Sequence, residues 1–356
     1  MNTEYVIKRM ERLIQPESTG IERFVHAVTY QCNSRCTMCN IWQIDYTDGK
    51  LRSQELTAHD LERVFSDQTM FENVTDIGLT GGEPMLHPNL DEIARFYLKR
   101  FPKARISVNT NALQPEKCVS VLKSILQGEP NPNRFRVSFS LDGVDDVHDS
   151  IRGIPGNYKK VLKNLRLVRE AKLDIELAFT MTLLPENYNQ ILSVWRLADE
   201  EGVGFSFSFP QTSGSFYQNE STQFKFDEMM LNEVQRQVTE IQKSSPIFNN
   251  FYYDGMVGYQ RDPHEVVRCY AGRNSFFLDP TGNIYSCILL DKPFGNVKEH
   301  SFLDVWTGEK AEEIRRWIWK THCNCWGCES EVSFRRSWKV AVHGLKHKAL
   351  SVIRGQ

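Results

Sequence analysis

Between residues 21 and 210 the chain alternates two hydrophobic periods. Short apolar runs recur at Phe24–Tyr30, Asp76–Thr80, Ile106–Thr110, Phe135–Leu141, Ile175–Thr182 and Gly204–Phe209. Runs of this length, rich in β-branched and aromatic residues, predict strands. Between them lie stretches of helical spacing: Leu56–Gln68, Leu90–Arg100, Pro115–Leu126, Tyr158–Ala171 and Asn187–Glu201. In the fourth of these, Val161, Leu162, Leu165 and Val168 share one face, the stripe that a helix packs inward. Thr57, with Asp60 three residues on, reads as an N-cap of the first. Strands separated by crossover helices imply a parallel sheet with right-handed connections. Six such units predict an α/β fold, a partial (β/α)6 barrel, with ligand groups gathered at the C-terminal ends of its strands.

The pattern changes after residue 210. Gln211–Gln223 is polar and reads as a linker or substrate loop. Phe226–Gln242 has an amphipathic helical period, and Ile247–Tyr253 is rich in aromatics. From Cys269 a second module is expected. Phe276–Leu278, a turn at Asp279–Asn283 and Ile284–Ile288 form a hairpin pattern, and Phe302–Arg316 a helical one. The expected organisation is an arm over 1–20, the barrel over 21–210, a linker with helical segments over 211–268, a small β-hairpin/helix domain over 269–330, and a tail over 331–356. Ser333–Gln356 is basic and without acid, with Trp338, Val342, Leu345, Ala349 and Ile353 on one helical face. It reads as a terminal helix docked on the body. A contact with a partner or a membrane surface is the other reading of such a face.

Composition narrows the function classes. Lys and Arg number 43 against 45 Asp and Glu, a net charge of −2, so nothing global points to nucleic acid. No apolar stretch approaches the ~20 residues of a membrane span. The chain reads as cytoplasmic. Nine cysteines in that compartment point to metal or redox chemistry, because disulfides rarely persist there. Cys118 lies in a helical pattern and reads as a buried spectator.

Cys32, Cys36 and Cys39 form a C-x3-C-x2-C loop directly after the first strand pattern. Three thiolates on one loop can hold three irons of a four-iron cluster and leave the fourth open to a ligand. A zinc site would close with a fourth ligand and favours C-x2-C pairs; His26 is near but on the strand side. Thr80-Gly81-Gly82-Glu83-Pro84 closes the second strand pattern, where glycines let the backbone approach a ligand.

The cysteine pattern resembles the radical S-adenosylmethionine (SAM) superfamily, although Met38 stands where that family usually has an aromatic residue. The resemblance implies that SAM's amino and carboxylate groups occupy the open iron. Gly81, Gly82 and Glu83 resemble the family's GGEP motif, which binds the SAM amino group. Asn109, Ser140, Asp142 and Thr182, with Ser138 and Thr180, end later strands where the family hydrogen-bonds the ribose and carboxylate. Arg152 could pair with a carboxylate or with a neighbouring helix.

The second module places Cys269, Cys287, Cys323, Cys325 and Cys328 in a layout that resembles the twitch domain, a shortened SPASM domain. That implies an auxiliary 4Fe-4S cluster held by Cys269, Cys287, Cys325 and Cys328, with Cys323 as the alternative ligand. The Cys325–Cys328 pair would also suit structural zinc. The implied activity is that of an oxidoreductase with two 4Fe-4S clusters and SAM, served by a reductant such as a flavodoxin or ferredoxin. The auxiliary cluster would take an electron from the substrate radical. About twenty residues precede the first strand, too few for a leader-binding domain. A small carbohydrate-like or metabolite substrate is therefore expected. Peptide maturation, a redox-neutral epimerisation with Cys323 as hydrogen donor, and a non-catalytic electron carrier are the alternatives.

Overall fold

A computed structural model describes residues 20–245, 250–263, 269–321 and 325–326, with the backbone alone at 250 and 251. The expected arm, the basic tail, Cys323 and Cys328 lie outside the described residues.

Among the described residues, nine strands form one sheet. They are β1 (Arg23–Ala27), β2 (Asp76–Thr80), β3 (Arg105–Thr110), β4 (Phe135–Ser140), β5 (Glu176–Thr182), β6 (Gly204–Ser208), β7 (Ser275–Leu278), β8 (Asn283–Tyr285) and β9 (Pro293–Asn296). Their order is β6-β5-β4-β3-β2-β1-β7-β8-β9. The first six run parallel with helices between them, and the sheet does not close. This is the expected partial barrel.

The helices follow their patterns, with shifts at the ends that local hydrogen bonds explain. The first runs only from Ala58 to Val64, and Thr57 and Asp60 close a reciprocal capping box at its start. The fifth pattern begins at Ile191 rather than Asn187. The Asn187 side chain instead bonds the Leu184 N–H and the carbonyls of Asp142 and Thr182, which ties β5 to the end of β4. The helix expected over Phe302–Arg316 is two, Phe302–Thr307 and Glu309–Lys320, because Gly308 is extended (ψ 157°).

The hairpin of the second module is not a separate sheet. β7 pairs in parallel with β1, with Phe24 opposite Phe276, and β8 and β9 continue antiparallel from it. The two rings stack at 4.9 Å and 7°. Phe24 also meets Phe65, Tyr97 and Phe101, and Phe276 meets Phe302 and Trp306. One aromatic core thus serves both modules, and β1 lies at the middle of it. Burying a Phe side chain contributes about 1.5–3 kcal/mol, so the joint between the modules is part of the core and not a loose linker.

Candidate functional site

The first strand pattern reached Tyr30, but β1 ends at Ala27. Beyond it the chain runs beside the turn that follows β2. Gly82 N–H donates to the Thr29 carbonyl and Glu83 N–H to the Gln31 carbonyl, both at 2.7 Å. A Cβ at Gly82 would lie 2.3 Å from the Gln31 carbonyl oxygen, and Gly81 has φ 151°. Only glycine permits this approach. The two loops that carry the motif residues are therefore zipped together by their backbones.

Cys32, Cys36 and Cys39 are each half-buried and line one cavity of about 920 Å³. Gly81, Gly82, Glu83, Asn109, Ser140 and Thr182 line it with them, as do Thr180 and Arg152. Strand alternation explains the set. Asn109, Ser140, Thr180 and Thr182 sit at or near the ends of β3, β4 and β5 and point to the inner face. Burial raises the Cys32 thiol to about 12 and the Cys39 thiol to about 11. A metal must displace those protons to bind. Donors already face the sulfurs: Ser34 N–H reaches Cys32 Sγ at 3.5 Å, and Arg152 Nη1 reaches Cys36 Sγ at 3.7 Å. Three soft thiols with donors behind them, open to a cavity, fit an iron–sulfur cluster.

Glu83 is 2% exposed. Its Oε1 accepts from Met85 N–H at 3.0 Å and Thr110 Oγ1 at 2.7 Å, and its Oε2 from Asn111 N–H at 2.6 Å. Burial pushes its carboxyl above the usual range, against the pull of these donors. The carboxylate is oriented by the turn and by the end of β3, so it acts in the fold as well as at the cavity wall.

Asp142 differs from its expected place. It is fully buried and absent from the cavity lining. Its Oδ1 accepts from Thr182 N–H at 2.8 Å and its Oδ2 from Arg152 Nε at 2.5 Å. Its backbone N–H donates to His148 Nδ1 at 3.0 Å. Asp142 therefore holds Arg152 and does not touch the cavity. Ser138 is buried in β4 and also stays out of the lining. The open question about Arg152 resolves toward both a carboxylate and a cysteine.

The sequence reading missed several wall residues. Ser206 and Ser208 of β6 face the cavity with Thr180 and Thr182 opposite them in register. The alternation Gly-Phe-Ser-Phe-Ser was the available signal. Arg136 on β4 lines the same cavity. The polar loop after residue 210 braces the cysteine loop. Asn219 Nδ2 donates to the Met38 carbonyl at 2.7 Å, and Asn40 N–H donates to the Tyr217 carbonyl at 2.9 Å. Asp291, from the second module, accepts from Gly214 N–H at 2.6 Å and Ser215 N–H at 2.8 Å. Tyr30 Oη donates to Asp279 Oδ2 at 3.1 Å. The second module thus holds the cysteine loop at both its start and, through the 211–219 loop, its end. Cys269, Cys287 and Cys325 are half-buried. Among the described residues, no helix is long and apolar enough to cross a membrane.

Comparison with known proteins follows the same division. A model described as the radical SAM superfamily matches residues 27–198, and one described as an iron–sulfur cluster-binding (SPASM) domain matches 269–329. The AdoMet-dependent heme synthase of Methanosarcina barkeri is 24% identical over 81% of this chain and 82% of its own length. The antilisterial bacteriocin subtilosin biosynthesis protein AlbA of Bacillus subtilis is 23% identical over 81% of this chain, which spans 60% of AlbA. The structure of Streptococcus suis SuiB bound to precursor peptide SuiA superposes with a TM-score of 0.61 at 17% identity, covering 88% of this chain and 71% of SuiB. That likeness is one of fold.

Proposed function

The chain belongs to the radical SAM superfamily, in the branch with a C-terminal SPASM iron–sulfur domain, and from that membership we propose that it oxidises a small, hydroxyl-rich substrate by removing hydrogen from carbon. Its cofactors are 4Fe-4S clusters and SAM. When bound, they supply reductive SAM cleavage, hydrogen-atom abstraction and an acceptor for the second substrate electron.

The chain's own residues have separate tasks in this reading. Cys32, Cys36 and Cys39 hold the SAM-cleaving cluster; Cys269, Cys287, Cys325 and Cys328 hold the auxiliary one. Gly81 and Gly82 let the backbone approach the SAM amino group, and Glu83 presents a charge of the right sign, oriented by its three donors. Asn109, Ser140 and Thr182 offer hydrogen bonds to the ribose and carboxylate. Along the same wall, Thr180, Ser206 and Ser208 present hydroxyls, and Arg136 a cation, to the substrate. The 211–219 loop shields the cysteine loop from water.

The observation that carries the substrate class is this inner wall. Hydroxyls that both donate and accept, set on neighbouring strands, suit a polyol. A second reading, modification of a ribosomal peptide, is favoured by the resemblance to AlbA and the fold shared with SuiB. The test is anaerobic turnover with deuterated monosaccharides and sugar nucleotides against a synthetic peptide panel. Deuterium in 5′-deoxyadenosine from a sugar, with a product that has lost one deuterium from carbon and one proton from oxygen relative to the labelled substrate, supports the first reading. Label arriving only from peptides replaces it with the second.

A further inference from the structure

Arg152 ends the helix Asp146–Arg152, which docks directly on the cysteine loop. The docking is made by backbone. Arg35 N–H donates to the Arg152 carbonyl at 3.0 Å, Ser34 Oγ donates to it at 3.2 Å, and Thr37 N–H donates to the Ile151 carbonyl at 2.9 Å. Gly153 follows with φ 64°, and a Cβ there would lie 2.5 Å from the Arg35 carbonyl oxygen. None of these contacts uses the Arg152 side chain. That side chain goes elsewhere: Nε to Asp142 and Nη1 to the Cys36 sulfur.

We propose that Arg152 is a positioning residue that sets the reduction potential of the cluster held by Cys32, Cys36 and Cys39. The inference rests on reading that loop as the cluster site. Reduction adds negative charge to the cluster and its sulfurs. A cation with an N–H aimed at one sulfur stabilises the reduced state more than the oxidised one. Screening is weak, because the Arg152 side chain is 11% exposed and Asp142 0%. Asp142 offsets this effect only in part. It bonds the Nε edge, while Nη1 is the nitrogen that faces the sulfur. Asp142 is itself fixed by Thr182 N–H and, through its own N–H, by His148. The ends of β4 and β5 therefore decide where the charge stands relative to Cys36.

The test is a potentiometric titration of the reconstituted full-length protein, followed by electron paramagnetic resonance without SAM. SAM added at the end identifies the first cluster by the change in its signal. Arg152→Gln should shift the reduction equilibrium at least tenfold toward the oxidised state, about 59 mV for one electron. Arg152→Lys keeps the charge and should stay within about threefold of the parent, roughly half that shift in mV. The double variant Asp142→Asn with Arg152→Gln leaves no buried charge unpaired and should lie above Arg152→Gln but still below the parent. It decides the matter if the single variant does not fold. An unchanged potential in variants that hold their clusters overturns the proposal. So does loss of iron with no shift in the clusters that remain, which would make Arg152 a scaffold only. If the parent protein holds no cluster that responds to SAM, the reading of the loop fails instead.

Discussion

Acid should weaken this protein through His148 in a way that one variant can isolate. His148 is fully buried. Its Nδ1 accepts from the Asp142 backbone N–H, so the ring proton must sit on Nε2. Nε2 faces the Asn157 amide at 3.0 Å, and the Asn157 Oδ1 has no partner in the orientation shown. Turning that amide by 180° lets Oδ1 accept the Nε2 proton and satisfies both groups. Protonation of Nδ1 would set two donors against each other. Burial, then the neighbouring Arg152 charge, lowers the His148 pKa from 6.5 to about 4. A lowered folded pKa gives stability that is present above the unfolded value and is lost as pH falls toward the folded one. From pH 7 to 5 the unfolded state takes up this proton and the folded state largely does not, which removes about 2 kcal/mol. His148→Gln keeps an acceptor and a donor but does not titrate. Urea unfolding at the two pH values, on parent and variant, gives the difference directly. Contributions from His26 and His87, also lowered by burial to about 3 and about 4, occur in both proteins and cancel. If the variant loses as much stability from pH 7 to 5 as the parent, the assignment of His148 as a neutral acceptor is wrong.

Three further outcomes are expected. Alanine at Cys32, Cys36 and Cys39 together should lower bound iron from about eight to about four per chain and abolish 5′-deoxyadenosine formation; full SAM cleavage by that variant would reject the site. Glu83→Gln should weaken SAM binding, measured calorimetrically. It should also lower stability by about 1–3 kcal/mol, because one buried N–H among Met85 and Asn111 loses its acceptor; unchanged values on both counts would leave the residue without either role. Phe24→Ala should cost about 3–5 kcal/mol. Because Phe24 stacks on Phe276 and β1 pairs with β7, the barrel and the second module of the parent protein should unfold in one calorimetric transition; two separated transitions in the parent would contradict a shared core.

What could be read from sequence was whatever depends on neighbours along the chain. Period-two and helical spacing located β2, β4 and the helix Leu90–Arg100 to the residue or nearly so, because which face is buried is written locally. The Cys32–Cys39 spacing and the Gly81–Glu83 turn were legible for a similar reason: three ligands on one loop, and two glycines at a close approach, need no distant partner. What needed the tertiary structure was every choice between partners far apart in sequence. Asp142 and Thr182 look equivalent at strand ends, yet only Thr182 reaches the cavity, because Asp142 meets Arg152 and the Thr182 N–H. The second module looked separable, yet β7 adds to β1, since Phe276 finds its stacking partner in Phe24, about 250 residues earlier. Gln211–Gln223 read as a linker or substrate loop, and the role of its first part as a brace depends on Asp291 and Met38, which only folding brings to it. Periodicity records burial, and burial is local in sequence; hydrogen-bond partners and ring stacks are chosen in space, and nothing in the spacing of residues names them.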